Sequence, residues 1–96
     1  MRQKNIRYVL GAFMAERGAF YNLKKIGVFG SYARNQATNE SDVDVVFVTD
    51  RPDLFMTAML RQDLEDLLGR HVDVVRLRNN MNPRLKARIE RDAVYV

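Results

Sequence analysis

The chain alternates between stretches with a helical spacing of apolar residues and short apolar runs. Near the N-terminus, apolar residues recur at helical spacing, which predicts an amphipathic first helix. Asn5 is its candidate N-cap and Gly18 its candidate C-cap. Two runs rich in Val, Ile and Phe then predict strands at residues 23–29 and 43–49. The apolar residues of the first helix are Ile6, Val9, Leu10, Phe13 and Met14.

A second helical pattern follows the turn residues 50–53 and ends at Gly69. The apolar run 72–75 predicts a third strand. Strand, helix and strand then form a βαβ unit, which predicts parallel pairing and a right-handed crossover. The apolar residues of this helix, which we expect to face a sheet, are Phe55, Met56, Met59, Leu60, Leu64, Leu67 and Leu68.

The last part of the chain predicts a short helix and an edge strand. Asn82 and Pro83 fit the N-cap and the first helical position, with Leu85 and Ile89 facing inward. Residues 94–96 predict the edge strand. The fold class is therefore α/β (α+β), a small mixed β-sheet with helices packed mainly on one face. Residues 1–96 are expected to form a single domain.

Composition excludes several classes of protein. The absence of cysteine rules out a disulfide framework, thiolate zinc sites and cysteine nucleophiles. No apolar run approaches the length of a membrane span, and no signal segment begins the chain, so we expect a cytoplasmic protein without membrane association.

The formal net charge of +4 favours an anionic partner. Arginines crowd the C-terminal part, where they form either a solvated helix face or a patch that faces phosphates or a partner protein. Direct nucleic-acid binding is disfavoured, because the basic residues lack interleaved aromatic side chains. The basic residues after the third strand begins are Arg76, Arg78, Arg84, Lys86, Arg88 and Arg91.

Two carboxylates mark the start of the second strand. Asp42 and Asp44 are two positions apart, so in a strand their side chains project from the same face. Two like charges held close together are costly unless a cation lies between them, and Mg²⁺ is the usual ion for carboxylate and phosphate oxygens. By itself, Asp42 has a second interpretation, which is an ion pair with Arg34.

Asp73 is the third candidate ligand. It lies inside the apolar run of the third strand, where an unpaired carboxylate is costly to bury. Exposure on an edge strand or pairing with an arginine would also explain it. Because parallel strands begin at the same sheet end, Asp73 is expected near the acidic pair. Three such carboxylates suit two divalent ions that assist phosphoryl or nucleotidyl transfer.

A glycine–serine turn precedes the acidic pair. Gly30 allows the backbone to approach phosphates, and Ser31 offers a hydroxyl and an N–H at the start of a short helical turn that ends by Gln36. Arg34 either contacts a phosphate or fixes the loop by pairing with a carboxylate. His71, the only histidine, is expected on the sheet face opposite Asp73, in a packing or surface role.

These motifs resemble those of the DNA-polymerase-β-like nucleotidyltransferases, and the short length resembles the minimal nucleotidyltransferase (MNT) domains. The resemblance covers nearly the whole chain. One departure is Asn35, which stands where the family commonly has glycine after the Ala-Arg pair; asparagine also tolerates left-handed backbone. The motifs are Gly30, Ser31, Tyr32, Ala33 and Arg34, then Ser41, Asp42, Val43 and Asp44, then Asp73.

The resemblance implies a polymerase-β-like palm core and the transfer of AMP from ATP to a hydroxyl, with two Mg²⁺ ions held by Asp42, Asp44 and Asp73. Gly30, Ser31 and Arg34 would bind the nucleotide. The segment after Asp73 is too short for an acceptor domain, so the acceptor is expected on another chain. MNT proteins resemble the antitoxins of HEPN/MNT pairs, which implies a tyrosine of a HEPN ribonuclease toxin as acceptor. The alternatives are neutralisation by occlusion without catalysis, or transfer to a small molecule bound by a separate subunit.

Overall fold

The computed structural model describes residues 3–34, 36–38 and 41–96, and these form three helices and a four-stranded sheet. Asn35, the departure from the family motif, lies outside the described residues. None of the helices in the described ranges is long and apolar enough to cross a membrane. The elements are α1 (Gln3–Arg17), β1 (Leu23–Phe29), β2 (Val43–Thr49), α2 (Leu54–Leu68), β3 (Val72–Arg76), α3 (Pro83–Asp92) and β4 (Val94–Tyr95).

The sheet is mixed, with the strand order β3-β2-β1-β4. β2 pairs in parallel with β3 and antiparallel with β1, and β4 pairs antiparallel with the other edge of β1. The predicted βαβ unit is therefore confirmed, with α2 as the crossover between β2 and β3. The three main strands begin and end within one residue of their predicted bounds.

Two cores lie on opposite faces of the sheet. On one face, α1 and α2 cover the larger core, and on the other face α3 covers a smaller core around Phe29, Val46 and Ile89. The predicted fold class, with helices mainly on one face, is thus confirmed. Burying each of these large side chains stabilises the fold by roughly 1.5–3 kcal/mol. The larger core includes Ile6, Leu10, Ile26, Val28, Val43, Val45, Leu60, Leu64 and Val72.

The apolar stripe of α2 is wider than the surface it covers. Leu60, Leu64 and Leu68 are buried, as expected, but Phe55 is 85% exposed and Met59 and Leu67 are exposed as well. At 3.6 residues per turn, Phe55 and Met59 lie about 140° and about 100° around the helix from Leu60, too far to reach the sheet. The prediction that all seven apolar residues face the sheet was therefore wrong for these three.

The predicted start and end of α2 and the predicted start of α3 are confirmed. Asp53 caps α2 by accepting hydrogen bonds from two backbone N–H groups, and Gly69 ends it in the left-handed conformation (φ 65°). Asn82 caps α3 ahead of Pro83 in the same way.

The predicted ends of α1 were partly wrong. Asn5 lies inside the helix, since α1 already includes Gln3, and so it is not the N-cap. Gly18 does follow the helix, and its N–H continues the helical pattern by donating to Met14 at 3.0 Å. The left-handed residue that turns the chain toward β1 is instead Asn22 (φ 55°).

Replacing Gly27 should loosen β4. Gly27 lies in the part of β1 that pairs with β4. A Cβ atom on this residue would overlap the Val94 carbonyl oxygen and lie 2.9 Å from the Tyr95 Cα. Gly27→Ala should therefore lower the free energy of unfolding by about 1–3 kcal/mol. It should also speed hydrogen exchange of the Val96 amide, which donates to Ile26.

Gly11→Ala is the matched control, because Gly11 is a helical residue with open space around the added Cβ. It should raise the free energy of unfolding by about 0.5–1 kcal/mol. Thermal unfolding of both variants measures the two effects. Unchanged Val96 exchange in Gly27→Ala would contradict the close packing of β4 on β1.

Candidate active site

The three predicted carboxylates converge at one end of the sheet. Asp44 lies directly beside Asp73 in the parallel register of β2 and β3, and Asp42 immediately precedes β2. The neighbours Val43 and Val45 belong to the larger core, so Asp44 projects from the opposite face, on the side of α3. The same alternation places Asp73 on that face. The convergence expected from the βαβ unit is therefore observed.

Asp44 is the most enclosed of the three carboxylates. Burial raises its pKa, and the nearby charges of Asp73 and Asp42 raise it further, while Arg88 and Arg34 act in the opposite direction. The ionised form of Asp44 is thus disfavoured by both desolvation and like-charge repulsion. A bound cation would relieve both costs.

Gly30 makes room for the Asp44 carboxylate. It ends β1 in the left-handed region (φ 72°), and a Cβ atom on it would overlap the carboxylate of Asp44. Only glycine therefore provides both the backbone conformation and the space. Gly30 therefore admits an acidic side chain, and its approach to a phosphate stays a prediction.

The segment after Gly30 is a turn and not a helix. The Arg34 N–H donates to the Gly30 carbonyl at 3.1 Å, and the Gln36 N–H donates to the Ser31 carbonyl at 2.8 Å. The predicted short helical turn is present, since the bond from Arg34 to Gly30 is that of one α-helical turn, but within the described residues it does not continue into a regular helix with an aligned dipole. Ser31 is half-buried and directly follows Gly30, which packs against the Asp44 carboxylate.

Arg34 pairs with a carboxylate, which was one of its two expected roles. Its guanidinium donates to Asp92 at 2.9 Å and to Gln36 at 3.1 Å. Asp92 is the last residue of α3, and only 7% of its side chain is exposed. Hydrogen bonds from Arg91 and Arg34 hold the pKa of Asp92 below its usual range. Arg34 therefore fastens the turn to α3, and its charge also favours the ionised form of Asp44.

A cleft of about 610 Å³ lies between α2 and α3, next to the acidic side chains. Asp44 and Asp73 line it together with Arg61 and Arg88, so its walls carry both signs of charge. A second hollow of about 500 Å³ continues along β3 toward Arg76 and shares several lining residues with the first. The arrangement suits an anionic substrate whose charged end meets the carboxylates through a cation.

Sequence reasoning missed His71. It was expected on the opposite face from Asp73, but residues two apart along a strand share a face. The His71 Nε2 atom lies 3.4 Å from Asp73 Oδ1, and its Nδ1 atom lies 2.9 Å from Glu65 Oε2. The expected location was therefore wrong, and the two-residue spacing was the signal that would have placed it correctly.

Arg88 was predicted only as one member of the basic C-terminal segment. It lies on α3 with its guanidinium 6.0 Å from the centre of the Phe29 ring, and it lines the cleft beside Asp44. Arg88 precedes the inward-facing Ile89 and lies three residues after Leu85, so it is at the border of the buried face of α3. This spacing in the sequence could have indicated that Arg88 faces the site.

The donor set fits a divalent cation. Asp42, His71 and Asp73 each offer one ligand atom, and these atoms lie within 4.8 Å of one another. Ligands that lie about 2.0–2.6 Å from one ion have separations of this size. The half-buried Asp44 adds a fourth group whose charge needs compensation. The structure thus contains a possible acidic metal site at the predicted position.

Comparison with known proteins assigns the family. Residues 12–96 match the family described as "Nucleotidyltransferase domain". "Protein adenylyltransferase MntA" of Thermococcus cleftensis is 35% identical over 94 residues, which cover 97% of this chain and 94% of that protein. A Methanocaldococcus jannaschii protein, provisionally named as a protein adenylyltransferase, is 44% identical over 77 residues, 79% of each chain.

Solved structures agree. A structure provisionally described as a minimal nucleotidyltransferase has 32% identity and a TM-score of 0.80, and the match covers 98% of this chain and 95% of that one. A structure of a tri-AMPylated Shewanella oneidensis HEPN toxin in complex with MNT antitoxin has 21% identity and a TM-score of 0.68, covering 97% and 70% of the two chains. At this identity the second likeness supports the fold alone. The chain belongs to the nucleotidyltransferase domain family and is a minimal nucleotidyltransferase, an enzyme with protein adenylyltransferases among its relatives.

Proposed function

We propose that this enzyme transfers AMP from ATP, with Mg²⁺, to a tyrosine hydroxyl of a HEPN-type toxin and so acts as its antitoxin. The observation that carries the proposal is the meeting of Asp42, Asp44 and Asp73 at one end of the sheet, beside a cleft that Arg61 and Arg88 also line. The names of the relatives support protein as the acceptor. The AMPylated HEPN toxin in the complex with a protein of the same fold supports the identity of the partner.

Each carboxylate has a separate task in this reaction. Asp42 and Asp44 would hold the ion that neutralises the nucleotide phosphates, and Asp73 would complete a second ion site. Two divalent ions, when bound, would supply charge compensation for the attacking and leaving oxygens. Asp73, which is half-exposed at the cleft, is placed to take the proton of the acceptor hydroxyl. The acceptor oxygen bonds to the α-phosphorus, the bond between the α-phosphorus and its bridging oxygen breaks, and pyrophosphate leaves.

The basic residues of the cleft suit the nucleotide. Arg88 and Arg61 line the same cleft as Asp44 and Asp73, so they can pair with phosphate oxygens that the carboxylates would repel. Arg34 is committed to Asp92 and acts mainly by fixing the turn that carries Gly30 and Ser31. The nucleotide side of the reaction is therefore provided by five elements, β1 with its turn, β2, α2, β3 and α3.

The rim of the cleft suits a protein acceptor. Leu54, which is 88% exposed, lines the cleft at the start of α2, and Phe55 beside it is exposed as well. An exposed apolar pair next to a charged site is typical of a surface that a protein covers. A small-molecule acceptor would need polar groups in an enclosed site, and this cleft is open along β3.

Removing the acidic pair should abolish transfer. Asp42→Asn with Asp44→Asn keeps the shape of the site but removes two charges, so transfer of label from ATP to the purified partner should fall by a factor of about 10² or more. The assay uses ATP labelled in the α-phosphate, with Mg²⁺ and the HEPN-type partner. Asp66→Asn, on the exposed face of α2, is the matched control and should keep full activity.

Label transfer that persists in the double variant would contradict catalysis by these carboxylates. The same variant also separates catalysis from occlusion. If it has lost transfer but still neutralises the partner in cells, the non-catalytic alternative is correct for the antitoxin role.

Gly30→Ala should damage the site more than the fold. Gly30 and Gly69 both have left-handed backbone, so alanine at either position should lower stability by about 1–2 kcal/mol. Only at Gly30 does the new Cβ displace the Asp44 carboxylate, whereas the space at Gly69 is open. Gly30→Ala should therefore also lower the kcat of transfer at least about tenfold, while Gly69→Ala keeps it. Equal kcat values for the two variants would show that Asp44 does not need this packing.

Leu54→Asp should weaken binding of the acceptor protein. An acidic residue at the first helical position is compatible with α2, so the fold should be kept. If the partner covers the rim, its affinity should fall about tenfold in a binding assay without ATP. Tyr8→Asp is the control, since Tyr8 is 80% exposed and apolar but lies in the groove between α1 and α2. Equal loss in both variants, or none in Leu54→Asp, would exclude this rim as the docking surface.

A further inference from the structure

His71 and Glu65 form a pair that points toward the carboxylates. Glu65 Oε2 lies 2.9 Å from His71 Nδ1 and accepts the backbone N–H of Val72 at 3.0 Å. The other ring nitrogen of His71, Nε2, lies 3.4 Å from Asp73 Oδ1. Glu65 is held by α2, and most of its side chain is buried. The ring is therefore oriented by a carboxylate on one side and faces the acidic site with the other.

This orientation selects the tautomer of the ring. An ionised carboxylate is only an acceptor, so Glu65 requires a proton on Nδ1. In the neutral ring, Nε2 then carries a lone pair on the side of Asp73. A histidine that donates one ring N–H to a carboxylate and offers the other nitrogen to a cation is the usual arrangement of a metal-binding histidine.

We propose that His71 is a nitrogen ligand of the same metal site, with Glu65 as the residue that positions it. One ring nitrogen of His71 lies within 4.8 Å of ligand oxygens of Asp42 and Asp73, and Nε2 itself lies 3.4 Å from Asp73 Oδ1, so the three groups are spaced as ligands of one ion. This inference rests on the proposed function only in that it concerns the second ion, the one assigned there to Asp73. Binding of the ion can be measured without any transfer reaction.

The consequence is a change in ion preference. A site made only of oxygens suits Mg²⁺, whereas an imidazole nitrogen favours ions later in the first transition row. With His71 as a ligand, Zn²⁺ should bind much more tightly than Mg²⁺. Without it, the difference should shrink.

The competing arrangement is a simple ion pair. In that case the ring would carry protons on both nitrogens and bridge Glu65 and Asp73 as a cation. Such a bridge holds the two carboxylates together but places an N–H, instead of a lone pair, toward the site. The two arrangements differ in the protonation of Nε2 and in the response of that atom to metal.

The single histidine of the chain makes the test direct. In ¹⁵N-labelled protein without a histidine tag, the imidazole gives one pair of nitrogen resonances. We expect a large shift of the Nε2 resonance, and not of the Nδ1 resonance, when Zn²⁺ is added. An Nε2 resonance that does not respond to Zn²⁺ would overturn the proposal.

Affinities complete the test. Titration calorimetry should show that His71→Ala weakens Zn²⁺ binding about 10-fold or more and Mg²⁺ binding much less, and that Glu65→Gln weakens Zn²⁺ binding about tenfold. His71→Gln, which keeps a polar side chain of similar reach, serves if the alanine variant unfolds. Asp66→Asn should leave both affinities unchanged. Zn²⁺ affinity that is equal in wild type and both His71 variants would also overturn the proposal.

The outcomes separate this inference from the proposed function. If His71 responds to metal but no AMP is transferred, only the proposed function fails. If AMP is transferred and the metal affinities ignore His71, only the present inference fails.

Discussion

The parallel pairing of β2 with β3 is the constraint on which the site depends. Its register places Asp44 beside Asp73, two carboxylates at the same level of adjacent strands. The pairing is held from the other face of the sheet, where Val43, Val45 and Val72 are fully buried under α1 and α2. Apolar burial on one face thus stabilises a repulsive arrangement of carboxylates on the other, and a bound cation would relieve that repulsion.

Much of this arrangement could be predicted from the sequence. The strands have nearly the predicted bounds because their Val-rich runs are bordered by turn residues, and the βαβ rule fixed the parallel pairing. The same rule placed Asp73 near Asp42 and Asp44 without knowledge of the structure. The positions of these residues follow from the local sequence pattern and from a single topological rule, and for that reason they could be predicted.

The remainder depended on contacts that local patterns do not contain. The partner of Arg34 is Asp92, 58 residues away along the chain, and no spacing rule indicates it. The exposure of Phe55 depends on how much of α2 the sheet covers, which periodicity alone does not specify. The location of His71, in contrast, could have been predicted from the sequence, because residues two apart along a strand share a face. The expectation applied this rule incorrectly.

The bond between Arg34 and Asp92 has a consequence for the order in which the protein is assembled. The turn after β1 is made early in synthesis, but its anchor is the last residue of α3, and β4, which pairs with β1, follows it. A nascent chain that has emerged only as far as β3 therefore contains every carboxylate of the site but not the anchor of its glycine–serine turn. The acidic half and the turn become one unit only after α3 has been synthesised, so translation products truncated before α3 carry the acidic residues without the assembled site.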